Sequence, residues 1–266
     1  MKDRIAIVTT VLNDELYQKS LKSYPEKIDY YKIDGRYGCY GIHAIELTLR
    51  KMSAYDFIVM IDEDVVFENN SELFSLVREM KQNQIEVSGC RDFDMGGKRH
   101  DGNPLVMNTF FLIINMFLLK HRKSQFNFKS PHILPSKFFE GQFLLQTPYK
   151  KENLYSLREP YYWFFLTLWK NGASFLYLKN TQKYFVNDEV TTSLFGMNNL
   201  PICHHTWYAR AYNTEQIQKE RIDRLVDGFQ FFEGRKYQSL SSPLKFVFRF
   251  HEKKLKKTVK KIFNIE

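Results

Sequence analysis

Cysteine is scarce in this 266-residue chain: Cys39, Cys90 and Cys203 stand far apart. So few scattered thiols exclude a disulfide framework. Long apolar runs are lacking too. The longest, TFFLIINMFLL at 109–119, is interrupted by Asn115 and falls short of the about 20 residues that a spanning helix needs. No basic-then-apolar leader precedes IAIVTTVL at 5–12, which reads as a strand, so a cytoplasmic location is expected. Internal repeats and low-complexity stretches are absent as well.

Aromatic residues are plentiful, with 24 Phe and 16 Tyr. With 44% hydrophobic and 26% charged residues, the chain belongs among globular proteins, and its rings imply a thick core, aromatic-walled clefts or a lipid-facing surface. The formal net charge is +9, unevenly spread: positions 243–266 hold eight Lys or Arg against two Glu, a net of +6. The body is left near +3, which is too little for a nucleic-acid groove across the whole protein.

Along the first ninety residues, strand and helix patterns alternate. RIAIVTTVL reads as a strand, and Asn13-Asp14 offers a cap for the helix ELYQKSLKSY. KIDYYKID is a second strand, closed by Asp34-Gly35. GIHAIELTLRKM then sets Ile42, Ile45, Leu49 and Met52 at helical spacing. DFIVMID is a third strand, SELFSLVREMK a helix with Ser71 as cap, and IEVSGC a fourth strand. The alternation predicts a mixed, mostly parallel α/β sheet with helices on both faces. Beyond it, LVMNTFFLIINMFLL reads as strand into helix. EPYYWFFLTLWKNG reads as a helix with Pro160 in its first turn and Gly172 at its end, followed by the strand ASFLYL. After residue 178 the signals weaken.

YDFIVMIDEDVVFEN, residues 55–69, carries the chemistry: a fully apolar strand runs straight into Asp62, Glu63 and Asp64. Ligands of open α/β sheets bind beyond the carboxyl ends of strands. Alternation along the chain puts Asp62 and Asp64 on one side, about 7 Å apart, and Glu63 on the other. Two such carboxylates can share a divalent cation, and hard oxygen ligands suit Mg²⁺ or Mn²⁺ arriving with substrate phosphates. The bland alternative is that the acids only begin a polar turn.

IVTTVLND, KIDG and FIVMIDEDVVF together resemble the nucleotide-binding half of a GT-A fold glycosyltransferase, roughly of the family 2 type. The likeness covers about the first ninety residues well and the rest loosely. It implies that Thr9, Thr10 and Asp34 line the nucleoside site with Asp62 and Glu63 beside them, while Asp62 and Asp64 hold the metal and ribose. GRYGCYGIHA replaces the family's serine/threonine-rich stretch; Arg36 within it would either meet a phosphate or stay a solvated loop arginine.

The same resemblance assigns further residues. A general base is expected just before a helix about a dozen residues ahead of a glycine, and Glu159, thirteen residues before Gly172, has that place. Glu140 in FFEGQ competes for the role, and Glu159 would otherwise simply favour the helix's positive end. In CHHTWYAR, His204 or His205 would complete the metal set, with strand alternation letting only one face inward. Adjacent Cys203, His204 and His205 span tetrahedral zinc positions poorly. The loop GGKRHDGNPLVMN stands where such proteins contact donor sugar or acceptor, which makes Lys98, Arg99, His100 and Asp101 candidates by position.

SSPLKFVFRFHEKKLKKTVKKIFNIE reads as an amphipathic helix whose Leu244, Val247, Phe248, Leu255, Val259, Ile262 and Phe263 form an apolar stripe between lysines. That pattern fits an anionic membrane surface, with phosphate binding or packing on the domain as alternatives.

The expectation is therefore a GT-A-like domain over 1–240 (nucleotide half 1–95, acceptor half 96–240) and a basic membrane-surface tail over 241–266. It would use Mn²⁺ or Mg²⁺ to move a hexose or amino sugar, UDP-linked, to a saccharide or lipid-linked saccharide in surface-polysaccharide synthesis, with inversion and without a nucleic-acid partner. Two rivals are a haloacid-dehalogenase-type phosphatase with Asp62 as nucleophile and a non-catalytic basic module. The phosphatase would need a later glycine-led acidic motif, and Asp188-Glu189 lacks the glycine and spacing.

Overall fold

The computed structural model describes residues 3–93, 102–135, 137–139, 149–182, 184, 188–229, 235–241, 243–244, 246–248, 251–252 and 254–255. Its strands are β1 (Ile5–Val11), β2 (Asp29–Asp34), β3 (Phe57–Asp62), β4 (Val65–Phe67), β5 (Val87–Arg91), β6 (Met107–Asn115), β7 (Phe175–Leu178), β8 (Asn180–Gln182), β9 (Thr192–Phe195), β10 (Pro201–His205) and β11 (Gln238–Leu240). The helices are α1 (Asp14–Leu21), α2 (Ile42–Lys51), α3 (Asn70–Gln82), α4 (Met116–Leu119), α5 (Lys151–Leu154), α6 (Tyr162–Lys170) and α7 (Gln216–Val226).

Among the described residues, seven strands form one sheet in the order β11-β2-β1-β3-β6-β5-β7. Only β6 runs against the others. The mixed, mostly parallel sheet expected from the alternation is thus the one observed. Its strands are buried on both faces, which is why they read as continuous apolar runs. On β3, Ile58 and Met60 join α2 and α6 in one core, while Phe57, Val59 and Ile61 join α1 and α3 in the other. Each fully buried aliphatic or aromatic side chain contributes about 1.5–3 kcal/mol, so these two layers hold the sheet.

A second sheet, β4-β10-β9-β8, is antiparallel throughout. Apart from an extended stretch at His204 and His205, the sequence reading found none of its strands. Each has three to five residues, too short for alternation to show. β4 begins three residues after β3 ends, so Asp62, Glu63 and Asp64 lie at the crossing from one sheet to the other.

Local corrections are small. Asn13 caps α1 as expected, its side chain accepting from Leu16 N at 3.1 Å. Ser71 does not cap α3: the helix begins at Asn70, with Asn69 in the cap position and Ser71 in the first turn. Pro160 lies just ahead of α6, whose cap position is Tyr161, and Gly172 follows the helix at φ 76°.

Gly89 on β5 shows how tightly the sheet closes. A methyl group there would stand 2.6 Å from the Phe111 carbonyl oxygen of β6. Gly89→Ala is expected to destabilise the protein by about 1–3 kcal/mol in urea melts. Neighbouring Ser88→Ala, which gives up only its 3.1 Å bond to the Leu176 carbonyl, is expected to cost about 1 kcal/mol.

Candidate active site

The parallel strands bring Val11, Asp34 and Asp62 to the same carboxyl-terminal edge, with Val11 opposite Asp34 and Thr10 opposite Asp62. Glu63 turns the other way, as alternation requires. Its Oε1 accepts from the backbone N–H groups of Leu12 and Asn13, both at 3.1 Å, and so fixes the loop between β1 and α1. Asp64 faces β10: its Oδ1 lies 3.1 Å from His205 Nε2, and its Oδ2 accepts from Thr206 Oγ1 at 3.2 Å.

Asp62, Asp64 and His205 therefore converge, each offering a ligand atom within 4.8 Å of the others. The imidazole packs against two rings that also touch each other, Phe110, stacked at 4.4 Å, and Trp207, tilted at 4.1 Å. Its Nδ1 is buried without a hydrogen-bond partner. Two carboxylates and an imidazole form a donor set that fits Mn²⁺ or Mg²⁺.

The electrostatics point the same way. Burial, then Glu63 and Asp64, push the Asp62 carboxyl well above its ordinary value. Burial and Asp64 push Glu63 up to about 7, against the pull of the Asn13 and Leu12 N–H groups. Asp64 is penalised by burial, but the His205 and Thr206 contacts outweigh this and hold its pKa below the usual range. Three acids so placed repel one another, and a divalent cation relieves that repulsion.

The remaining expected residues are differently placed. His204 points to the opposite face of β10, where Nδ1 lies 2.8 Å from Ser193 Oγ and Nε2 lies 2.6 Å from Glu68 Oε2. Thr9 is buried with its hydroxyl 3.4 Å from that of Tyr24, and Thr10 is almost fully buried. Asp34 accepts from Arg36 Nε at 2.9 Å and Nη2 at 2.6 Å, and that contact lowers its pKa. Arg36 is thus bound to Asp34 rather than free in solvent. Glu159 stays apart from the metal trio, beside Tyr161 and Tyr162, whose hydroxyls both donate to buried Asp92. Lys98, Arg99, His100, Asp101 and Glu140 lie outside the described residues.

Sequence reasoning missed Thr206, Phe110, Trp207 and Arg221. Thr206 and Trp207 stood beside the histidines, and their alternation with His205 was the available signal. Phe110 meets His205 only through the fold. So does half-buried Arg221 of α7, whose guanidinium donates to the Thr206 and Trp207 carbonyls and to Thr191 Oγ1.

No protein-family model and no curated protein matches this chain. Solved structures give partial overlaps. One is the mannosyltransferase PcManGT from Pyrobaculum calidifontis in complex with GDP-Man and Mn²⁺, 14% identical over 46% of this chain and 47% of that one, with a TM-score of 0.34. Another is the glycosyltransferase GlyE of Streptococcus pneumoniae, 12% identical over 46% and 36%, at 0.32. A third is A197 from STIV, 16% identical over 75% and 93%, at 0.37. This chain matches less than half the length of the first two. Likeness at these scores carries no argument about activity.

His205→Ala and Asp62→Asn are each expected to weaken Mn²⁺ binding at least about tenfold, measured from the free-ion resonance signal. His204→Ala is expected to leave it intact while lowering stability. Asp62 would bind an ion only after losing its proton, and its pKa is raised. Affinity should therefore climb with pH above the ordinary carboxylate range.

Proposed function

We propose that the chain is a metal-dependent glycosyltransferase that moves a sugar, hexose or amino sugar, from a UDP-linked donor to a hydroxyl of a saccharide or lipid-linked saccharide. The observation that carries this reading is the convergence of Asp62, Asp64 and His205 at the edge where β1, β2 and β3 end. Thr10 and Asp34 border that edge, where a nucleoside would lie. Asp62, Asp64 and His205 would hold the ion. Once bound, it would supply Lewis-acid stabilisation of the leaving diphosphate. Glu63 keeps the β1–α1 loop in register with the acids. Glu159, three residues ahead of α6 in a segment anchored by the Tyr161 and Tyr162 bonds to Asp92, would take the acceptor proton in an inverting transfer.

The tail supports work at a membrane. Phe246 is buried in the core shared with α2, its ring 4.7 Å from that of His43, while Leu244, Phe248 and Leu255 are 72%, 70% and 65% exposed. Positions 244, 246–248, 251–252 and 254–255 are helical, and the three exposed residues fall within about 40° of one another around such a helix. An outward apolar stripe among eight basic residues matches an anionic lipid surface. In this reading the protein is peripheral at the inner face of the cell membrane, where a lipid-linked acceptor for surface polysaccharide would be presented.

Calorimetry with UDP and GDP, with Mn²⁺ and with chelator, tests the donor assignment. One nucleotide should bind only with metal, and Asp64→Asn should weaken it at least about tenfold. No binding in either condition, with a phosphoenzyme trapped at Asp62, would favour phosphoryl chemistry instead. Vesicle sedimentation tests the tail. The protein should pellet with phosphatidylglycerol but not phosphatidylcholine, and replacing Leu244, Phe248 and Leu255 by Ser should release it. Binding to DNA or RNA of equal affinity would refute the lipid assignment.

A further inference from the structure

The geometry points to Arg210 as the side chain that receives the diphosphate of the donor beside the metal trio. This inference rests on the nucleotide-sugar reading and adds to it a residue that the sequence did not single out.

Among the described residues, three cations on neighbouring elements are already engaged. Arg36 grips Asp34, Lys32 pairs with Asp14, and Lys19 pairs with Asp223 at 2.5 Å. Arg210 is exposed and makes no ion pair among the described residues. It is nevertheless held: its guanidinium carbon lies 5.8 Å from the centre of the Tyr40 ring. A ring contact orients a guanidinium without consuming its N–H donors, so the bidentate fork that suits phosphate oxygens stays available.

Its backbone is placed from three sides. Trp207 and Tyr208 are both left-handed, at φ 59° and 62°, a conformation that is strained for non-glycine residues. They turn the chain sharply between His205 and the short 3₁₀ helix Ala209–Ala211 that carries Arg210. The Arg221 guanidinium holds the turn by its bonds to the Thr206 and Trp207 carbonyls. From the far side, Asn13 Nδ2 donates to the Ala209 carbonyl at 3.2 Å. Asn13 itself is fixed by Glu63. The strained turn thus links the ligand His205 to Arg210 through a short, braced segment.

The charge balance explains the need. Two carboxylates would offset the charge of a divalent ion, and Glu63 stands behind them, so a further cation would add attraction for a diphosphate beyond what direct coordination to the metal supplies. An uncommitted arginine held against Tyr40 near the same edge would supply it.

The test compares wild type, Arg210→Ala, Arg210→Lys and Tyr40→Leu by calorimetry with inorganic pyrophosphate, UDP and GDP in Mn²⁺, and by Mn²⁺ binding alone. Arg210→Ala should weaken pyrophosphate and nucleoside diphosphate by about ten- to a hundredfold and leave Mn²⁺ affinity and the melting temperature unchanged. Arg210→Lys should recover part of the loss, and Tyr40→Leu should lose less than Arg210→Ala. Unchanged pyrophosphate binding in Arg210→Ala, with wild type still taking a nucleotide, would overturn the arginine assignment alone. Arginine-dependent pyrophosphate binding with no gain for UDP or GDP would uphold Arg210 and sink the nucleotide-sugar reading. If wild type takes neither pyrophosphate nor nucleotide, both fall.

Discussion

The chain leaves one sheet and enters another across three consecutive acids, and the structure around the candidate site depends on how each is satisfied. Glu63 accepts two backbone N–H groups from the loop that follows β1, and Asp64 meets His205 and Thr206 at the end of β10. Asp62 keeps its carboxylate at the edge between them. One short stretch therefore ties the first strand, the third strand and the late hairpin together. A buried carboxylate costs several kcal/mol when left unpaired, so these partners are conditions for the crossing to fold at all.

That arrangement makes the second sheet a support for the site. β10 presents His205 inward and His204 outward, and both imidazoles are engaged, one by the acids and one by Ser193 and Glu68. Phe110 from β6 and Trp207 pack against the inward ring and each other, with Trp207 Nε1 donating to Thr192 Oγ1 at 2.9 Å. A ligand ring fixed by packing and neighbouring hydrogen bonds binds metal with less reorganisation than a loose one. The aromatic richness of the composition serves partly here, and partly in the core under α6.

The other half of the cleft has its own buried acid. Asp92, at the end of β5, accepts from Asn108, Tyr161 and Tyr162 and so joins β5, β6 and the start of α6. Asn103 extends the same network by donating to the Leu154 and Ser156 carbonyls at 2.9 and 3.1 Å. The same bonds orient the segment that bears Glu159.

By itself the sequence determined the alternating first half, because strands buried on both faces read as apolar runs and the helices between them keep a 3.6-residue stripe. It also determined the opposed directions of Asp62/Asp64 and Glu63, and of His204 and His205, since alternation in an extended chain is local geometry. It left open which histidine meets the acids, because that depends on β10 pairing with β4 across more than 130 residues. The second sheet, the Phe110 stacking, the Arg221 brace and the position of Arg210 were decided by tertiary structure alone. Their elements are too short to carry a periodic signal, and their contacts join segments whose proximity no local pattern encodes.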